Sequence, residues 1–376
     1  MTLSVFHRAA EVVSAVSPER TADAVLRDFL RKKPGISRPD ARLISQALFA
    51  YYRWVKWLDP SQPLEDQISK AVDLTNDFQK NPGGFSDQEL ARAIPGWVSK
   101  ELTVTPQWLR SLQGEPTLWL RARREYAEQI PSRLSYARPG TLPCSIYSKG
   151  KDDLFRTPEF HEGKFELQDI SSQAVSLICA PQPGQTWWDA CAGEGGKTLH
   201  FSDLMQNKGL IWATDKAEWR LKQLKVRAAR AHCFNYRAKL WQDTGKPPTK
   251  TLFDGVLLDA PCTGTGTWQR NPHARWTVTE NDVLELAQLQ KTLLSCAAAS
   301  VKKEGRLIYA VCTLTQKETA GVADFFDKTH PEFMPCEFDN PFQLQNKQSR
   351  LLLWPQDVNG NGMFIAAWKR QSALDY

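Results

Sequence analysis

Through most of residues 5–105, apolar positions recur three and four apart, as in RTADAVLRDFLRKK and DARLISQALFAYYRWVKWL. That spacing places one apolar stripe on an α-helix. Strand-like alternation is scarce there, and the breaks fall at Asn81-Pro82-Gly83-Gly84 and Pro95-Gly96, so residues 1–105 are expected to form a helical domain. From 106 the pattern shortens. TLWLRAR (117–123) and CSIYSK (144–149) read as strands and YAEQIPSRL as a short helix. Residues 106–164 are therefore expected to form a small α+β domain, too thin to hold a large core alone. From 165 to 376, the short apolar runs TWWDA, LIWATD, GVLLDA and RLIYAV alternate with long helical patterns such as KAEWRLKQLKVRAARAH and ENDVLELAQLQKTLLSCAAASVKK. This alternation predicts a Rossmann-like α/β domain, a mostly parallel sheet with helices on both faces. Ligands of such sheets bind at the carboxyl ends of the strands.

The candidate chemistry falls at those ends. After TWWDA comes CAGEGGKT, in which Gly193, Gly195 and Gly196 permit tight turns and close approach to a ligand. The next apolar run ends in Asp215, 19 residues after Gly196, where a carboxylate can bind both hydroxyls of a ribose. Together they suggest an adenosine-containing cofactor. A phosphate-binding loop competes, because the segment ends in GGKT and GVLLD could serve as an acidic magnesium strand. That loop requires Gly at the position held by Cys191. A purely structural glycine turn is the plainest alternative.

Two cysteines join this edge: Cys262 after GVLLDA, in Asp259-Ala260-Pro261-Cys262, and Cys312 after RLIYAV. Each taken alone reads as an inert buried thiol. Their joint placement beside an adenosine site fits a pyrimidine C5-methyltransferase. A thiolate adding to C6 of cytosine makes C5 nucleophilic, C5 takes a methyl group, and loss of the C5 proton expels the thiolate. Asp259 is placed to assist as an acid at ring N3, and Lys197 is a candidate for favouring the thiolate. The spacing does not say which cysteine attacks.

Composition narrows the setting. The 376 residues carry 48 Lys+Arg against 42 Asp+Glu, a net charge of +6 that leans mildly toward polyanions. No apolar run is long enough for a membrane span, and the first twenty residues lack the apolar core of a secretory signal. The eight cysteines form no C-x-x-C pair and no zinc-ligand spacing. A cytosolic chain without a bound metal is expected, and a monomer is the default for a self-contained multidomain chain.

These residues resemble the RsmB/Nop2/Sun family of RNA cytosine-C5 methyltransferases. FELQDISSQ (165–173), CAGEGGKT, DAPCTGTG, RNPHARW (270–276), CTLTQKE and NGMFIAAWKR (361–370) match its motifs, LWLRAR resembles the start of its small RRM-like domain, and the helical N-terminus is similar to the NusB-like domain of some bacterial members. The resemblance implies a class I methyltransferase domain over 165–376 with S-adenosylmethionine as donor. It also implies Cys312 as nucleophile, with Cys262 assisting product release. Donor contacts would come from Cys191, Ala192, Gly193, Glu194, Gly195, Gly196 and Lys197, with Asp215 and Asp259, and Arg220 and Asp243 added. Gly193 and Glu194 stand where the family commonly has Ala and Pro, and Thr319 stands where Asn is common; none of these removes a reacting group.

The expected partner is RNA, ribosomal or transfer, with the target cytosine extruded from its stack. Trp268 and Trp276 with Arg270 and Arg275 are candidates for stacking bases and holding phosphate. Residues 216–239, with eight Lys/Arg and one acidic residue, Glu218, are another, as are Arg121, Arg123 and Arg124. A solvated face is the alternative for each. Two other functions compete: a P-loop nucleotidase, and a non-catalytic RNA-binding or ribosome-assembly factor.

Overall fold

The computed structural model describes residues 3–17, 20–148, 153–242 and 245–372. They form two compact units: Met1–Pro116 with Thr267–Glu280, and Thr117–Gly266 with Asn281–Tyr376. The first is helical. Its longer helices are Leu3–Ser14, Ala22–Lys32, Arg38–Trp54, Leu64–Lys80 and Pro106–Gln113. The apolar stripes of the first four meet around Val5, Ala9, Ile44, Leu48 and Ile68, as the three-and-four spacing predicts. Ser37 and Thr105 cap two of them, accepting from the backbone N–H of Asp40 and Trp108.

The segment after DAPCTGTG does not form the expected stacking surface. Trp268 is buried and stacks on Trp108 at 6.3 Å. Trp276 packs into the helical core and donates from Nε1 to the Tyr52 carbonyl at 2.7 Å. Arg275, fully buried, donates to the carbonyls of Trp268 and Leu112. These three positions are interior, and only Arg270 of the four is exposed. The pattern misleads because an aromatic–basic mixture suits a closed core as well as a base platform once each Arg finds carbonyls.

The second unit holds two main sheets. In the smaller, β1 (Leu118–Ala122), β2 (Ala137–Pro139), β3 (Ser145–Ser148) and β4 (Phe165–Leu167) are antiparallel in the order β2-β3-β1-β4. Its fourth strand lies beyond position 164. Arg121 is buried, bound to Asp203 and to Gln168 Oε1 at 2.8 Å, and Arg123 lies 3.5 Å from Asp203. Both are structural, which corrects their reading as RNA contacts.

The larger sheet contains β5 (Thr186–Asp189), β6 (Leu210–Asp215), β7 (Tyr236–Leu240), β8 (Phe253–Asp259), β9 (Val301–Val311) and β10 (Phe333–Pro335). A hairpin of β11 (Phe338–Asn340) and β12 (Gln343–Gln348) follows, then β13 (Arg350–Leu353) and β14 (Met363–Arg370). The order is β10-β14-β9-β8-β5-β6-β7, with β13 also on β14. Pairs from β9 through β7 are parallel, and β14 runs antiparallel to β9.

Side chains alternate across this sheet. Leu307, Tyr309 and Val311 face one core with helices Glu280–Ala298 and Ala320–Thr329; Ile308 and Ala310 face another with Ile170–Cys179 and Gly196–Leu204. Burial on both faces explains the unbroken apolar runs. The expected fold class holds, with one shift: Val301-Lys302-Lys303 starts β9 rather than ending the preceding helix.

Trp268→Ala is expected to destabilise the protein by about 3–5 kcal/mol, read as a lower urea midpoint with RNA affinity per folded molecule unchanged. Weaker RNA binding at unaltered stability would return Trp268 to a stacking role.

Candidate active site

The parallel sheet brings the sequence motifs together. Asp189 of β5 pairs with Ala213 of β6 on one side and Leu257 of β8 on the other; Asp259 of β8 pairs with Ala310 of β9. The loops leaving these strands therefore open on one edge. Cys262 lies three residues beyond Asp259 and Cys312 two beyond Ala310, and their sulfurs are 3.4 Å apart.

A cavity of about 310 Å³ lies at this edge, lined among others by Cys191, Ala192, Gly193, Asp215, Arg220, Asp259, Cys262 and Cys312. Glu194, Gly195, Gly196 and Lys197 do not line it, and Glu194 is exposed. The glycines of this pair shape the turn instead. Gly195 has φ +84°, and a Cβ there would come within 2.6 Å of Leu224 Cγ, so only glycine fits. Asp243 lies outside the described residues.

Asp215 is nearly buried, and its carboxylate accepts from the N–H of Gly193 at 3.0 Å and of Ala217 at 2.8 Å, with Arg220 at 3.9 Å. Lys197 does not point outward as a phosphate ligand would. Its Nζ donates to Asp259 Oδ2 at 2.6 Å. Burial lowers its pKa, but the charge and hydrogen bond of Asp259, aided by Asp189 and Cys312, more than offset this and hold it above the ordinary lysine value. Thr198, the last residue of GGKT, is also turned inward, donating to buried Asp189 at 2.6 Å. Both side chains that a P-loop needs are thus committed to the protein's own carboxylates.

The thiols differ. The hydrogen bond with Cys312, then burial, pushes Cys262 well above its usual value, and either sulfur can be the donor in the pair. Burial pushes the Cys191 thiol up as well.

Several lining residues carried no motif signal: Lys216, Trp241, Leu289 and Leu293. Trp241 follows the last residue of β7, a strand hidden within a stretch that reads as basic helix. Leu289 and Leu293 sit one helical turn apart on Glu280–Ala298, indistinguishable in sequence from ordinary core positions.

The lining offers the carboxylates of Asp215 and Asp259, the cations Lys216 and Arg220, an apolar wall of Trp241, Leu289 and Leu293, and the two thiols, a mixed set that suits a nucleoside. A family described as 16S rRNA methyltransferase RsmB/F matches residues 176–369. A probable ribosomal RNA small subunit methyltransferase B of Synechocystis sp. is 37% identical over 400 residues, covering 96% of this chain and 90% of that protein.

The chain belongs to the RsmB/F family of methyltransferases.

The RsmB/F assignment agrees with a second relative, a probable ribosomal RNA small subunit methyltransferase B of Bacillus subtilis, 30% identical over 66% of this chain and 57% of that protein. The solved structure titled PH0851 shares the fold, with a TM-score of 0.82, 23% identity and coverage of 98% of this chain and 99% of that one. S-adenosylmethionine is the cofactor of this RsmB/F member, and the cavity's donor set fits it.

Asp189, at the end of β5, is fully buried, and its Oδ1 has no hydrogen-bond partner among the described residues. Burial, reinforced by the charge of Asp259 and opposed by the Thr198 hydrogen bond, pushes its pKa up to about 7. Between the unfolded value near 4 and this folded value, the native state holds the extra proton, so the group's contribution to stability falls as pH rises through that window. Asp189→Asn is expected to remove this fall, gaining up to about 4 kcal/mol relative to the parent above pH 7. Parallel melting-temperature curves for the two proteins from acid to neutral pH would show that Asp189 does not titrate there.

Proposed function

We propose that this protein transfers a methyl group from S-adenosylmethionine to C5 of a cytosine in small-subunit ribosomal RNA, with Cys312 as nucleophile. The observation that carries this is the 3.4 Å approach of two thiols at the wall of a nucleoside-sized cavity. The names of the family and of both relatives support ribosomal RNA as substrate.

The residues divide the work as follows. Asp215, held by two backbone N–H groups, binds the ribose hydroxyls. Trp241, Leu289 and Leu293 bury the base. The bound donor supplies an electrophilic methyl group on a sulfonium. Cys262 donates its S–H to Cys312, which leaves Cys312 the thiolate of the pair. The Lys197 ammonium favours that thiolate, its charge reaching Cys312. Cys312 Sγ adds to C6 of an extruded cytosine, and Asp259, carrying the Lys197 hydrogen bond, faces ring N3. C5 then takes the methyl group. The C5 proton passes to solvent, its electron pair restores the 5,6 double bond, the C6–S bond breaks, and the Cys262 S–H assists the departing Cys312 thiolate.

A P-loop nucleotidase is disfavoured by the inward commitment of Lys197 and Thr198. A non-catalytic assembly factor would have no use for the paired sulfurs.

The deciding experiment uses 16S rRNA tritiated at cytosine C5. The parent protein is expected to release tritium, Cys312→Ala to release none, and Cys262→Ala to accumulate a covalent protein–RNA adduct on a denaturing gel. An adduct in Cys312→Ala and none in Cys262→Ala would exchange the two roles. No release from a folded, donor-binding protein would end the proposal. Calorimetry provides an independent comparison: S-adenosylmethionine should bind and ATP–magnesium should not, and the opposite result would favour the nucleotidase. Bisulfite sequencing of a deletion strain would locate the cytosine and distinguish ribosomal from transfer RNA.

A further inference from the structure

The chain continues past each cysteine into threonine-rich loops, Cys262-Thr263-Gly264-Thr265 and Cys312-Thr313-Leu314-Thr315. Between them sits Glu318, with no exposed surface. A carboxylate in such a place is expensive unless every lone pair is used. Here Oε1 accepts from the Thr263 N–H at 2.9 Å and from Gln290 Nε2 at 2.9 Å. Oε2 accepts from the hydroxyls of Thr263, of Thr313 at 3.1 Å and of Thr315 at 2.7 Å. Three of these five donors belong to Thr263 and Thr313, the residues directly after Cys262 and Cys312.

The clamp is anchored on the sheet and on a helix. Gln290 also donates to the Pro261 carbonyl at 2.9 Å, and the Tyr309 hydroxyl lies 3.0 Å from Gln290 Oε1 and 2.7 Å from the Glu318 carbonyl. Strand pairing brings both loops to one edge and fixes Cys312, which follows β9 directly, but Ala260 and Pro261 separate Cys262 from β8, so pairing alone does not set the sulfur–sulfur distance. Pulling both loops onto one carboxylate does.

We propose that Glu318 is a positioning residue: its buried carboxylate ties the Cys262 and Cys312 loops together and so sets the thiol pair at hydrogen-bonding distance. It touches neither substrate nor donor in the mechanism above. Its negative charge also helps hold the Cys262 thiol above its usual value, after the hydrogen bond with Cys312, burial and the charge of Cys312.

This inference rests on the methyl-transfer reading for its effect on turnover, but not for its effect on the thiols. Glu318→Gln keeps the shape, and the three threonine hydroxyls can rotate to accept from the new amide. The test is alkylation by iodoacetamide without RNA, followed peptide by peptide by mass spectrometry across a range of pH. In the parent, Cys312 is expected to react faster than Cys262. In Glu318→Gln, that preference should shrink about tenfold or more, with donor binding retained. On 16S rRNA, kcat should fall by roughly tenfold to a hundredfold, the scale of a misplacement near 1 Å, with KM unchanged. If Glu318→Gln does not fold, Thr313→Val removes one donor from the clamp and should show a smaller shift of the same kind. An unchanged Cys312-to-Cys262 preference in a folded variant, or a kcat that falls only with the folded fraction, would overturn the assignment. A shifted preference in a protein whose parent methylates no RNA would leave Glu318 in place and remove the proposed reaction instead.

Discussion

The parallel pairing of β8 with β9 is the constraint on which the site depends. Asp259 lies opposite Ala310, so two cysteines fifty residues apart in the chain leave the sheet side by side. Parallel neighbours send their ends in the same direction, whereas an antiparallel pair would have sent the two loops to opposite edges. The same logic places the glycine loop after β5 and Asp215 at the end of β6 on that edge. The two cysteines, Asp259, the glycine loop and Asp215 therefore owe their positions to strand direction, and that direction is stabilised by apolar side chains packed against helices on both faces of the sheet.

Within that frame, charge is handled by pairing rather than by exposure. Lys197 and Asp259 neutralise each other at the cavity wall, Asp215 is held by backbone N–H groups, and Arg121 and Arg275 are consumed by internal acceptors. Beside the cavity, Asp189 departs from this: it is a buried acid with one oxygen that has no hydrogen-bond partner among the described residues. It lies directly behind the Lys197–Asp259 pair in electrostatic terms, and each raises or lowers the other's tendency to ionise.

Much of this was legible in the sequence. The four apolar runs became β5, β6, β8 and β9 because both-face burial leaves a continuous hydrophobic signal, and the Gly, Asp and Cys residues at their ends met at one edge. Period-2 reasoning missed β7, since its exposed Arg237, Lys239 and Leu240 read as the tail of a basic helix. It also missed β10 to β13, which are short or edge strands with weak patterns. The aromatic and basic residues after DAPCTGTG were misread for a different reason. Burial is a property of the partner surface, and nothing local in WQRNPHARW (268–276) shows that Trp108 and Tyr52 wait for its rings. Trp241, Leu289 and Leu293 were invisible as cavity residues because ligand walls and cores use the same side chains.

The helix Glu218–Arg230 shows what such accounting means at the surface. Of its cations, Arg227 and Arg230 both bind Glu166, itself almost fully buried, and Lys222 pairs with Glu218. A cation already paired within the fold displaces few of the counterions condensed on a polyphosphate backbone. The helix thus offers a nucleic acid far fewer effective charges than its lettering suggests, and any attraction it exerts would fade only gently with added salt.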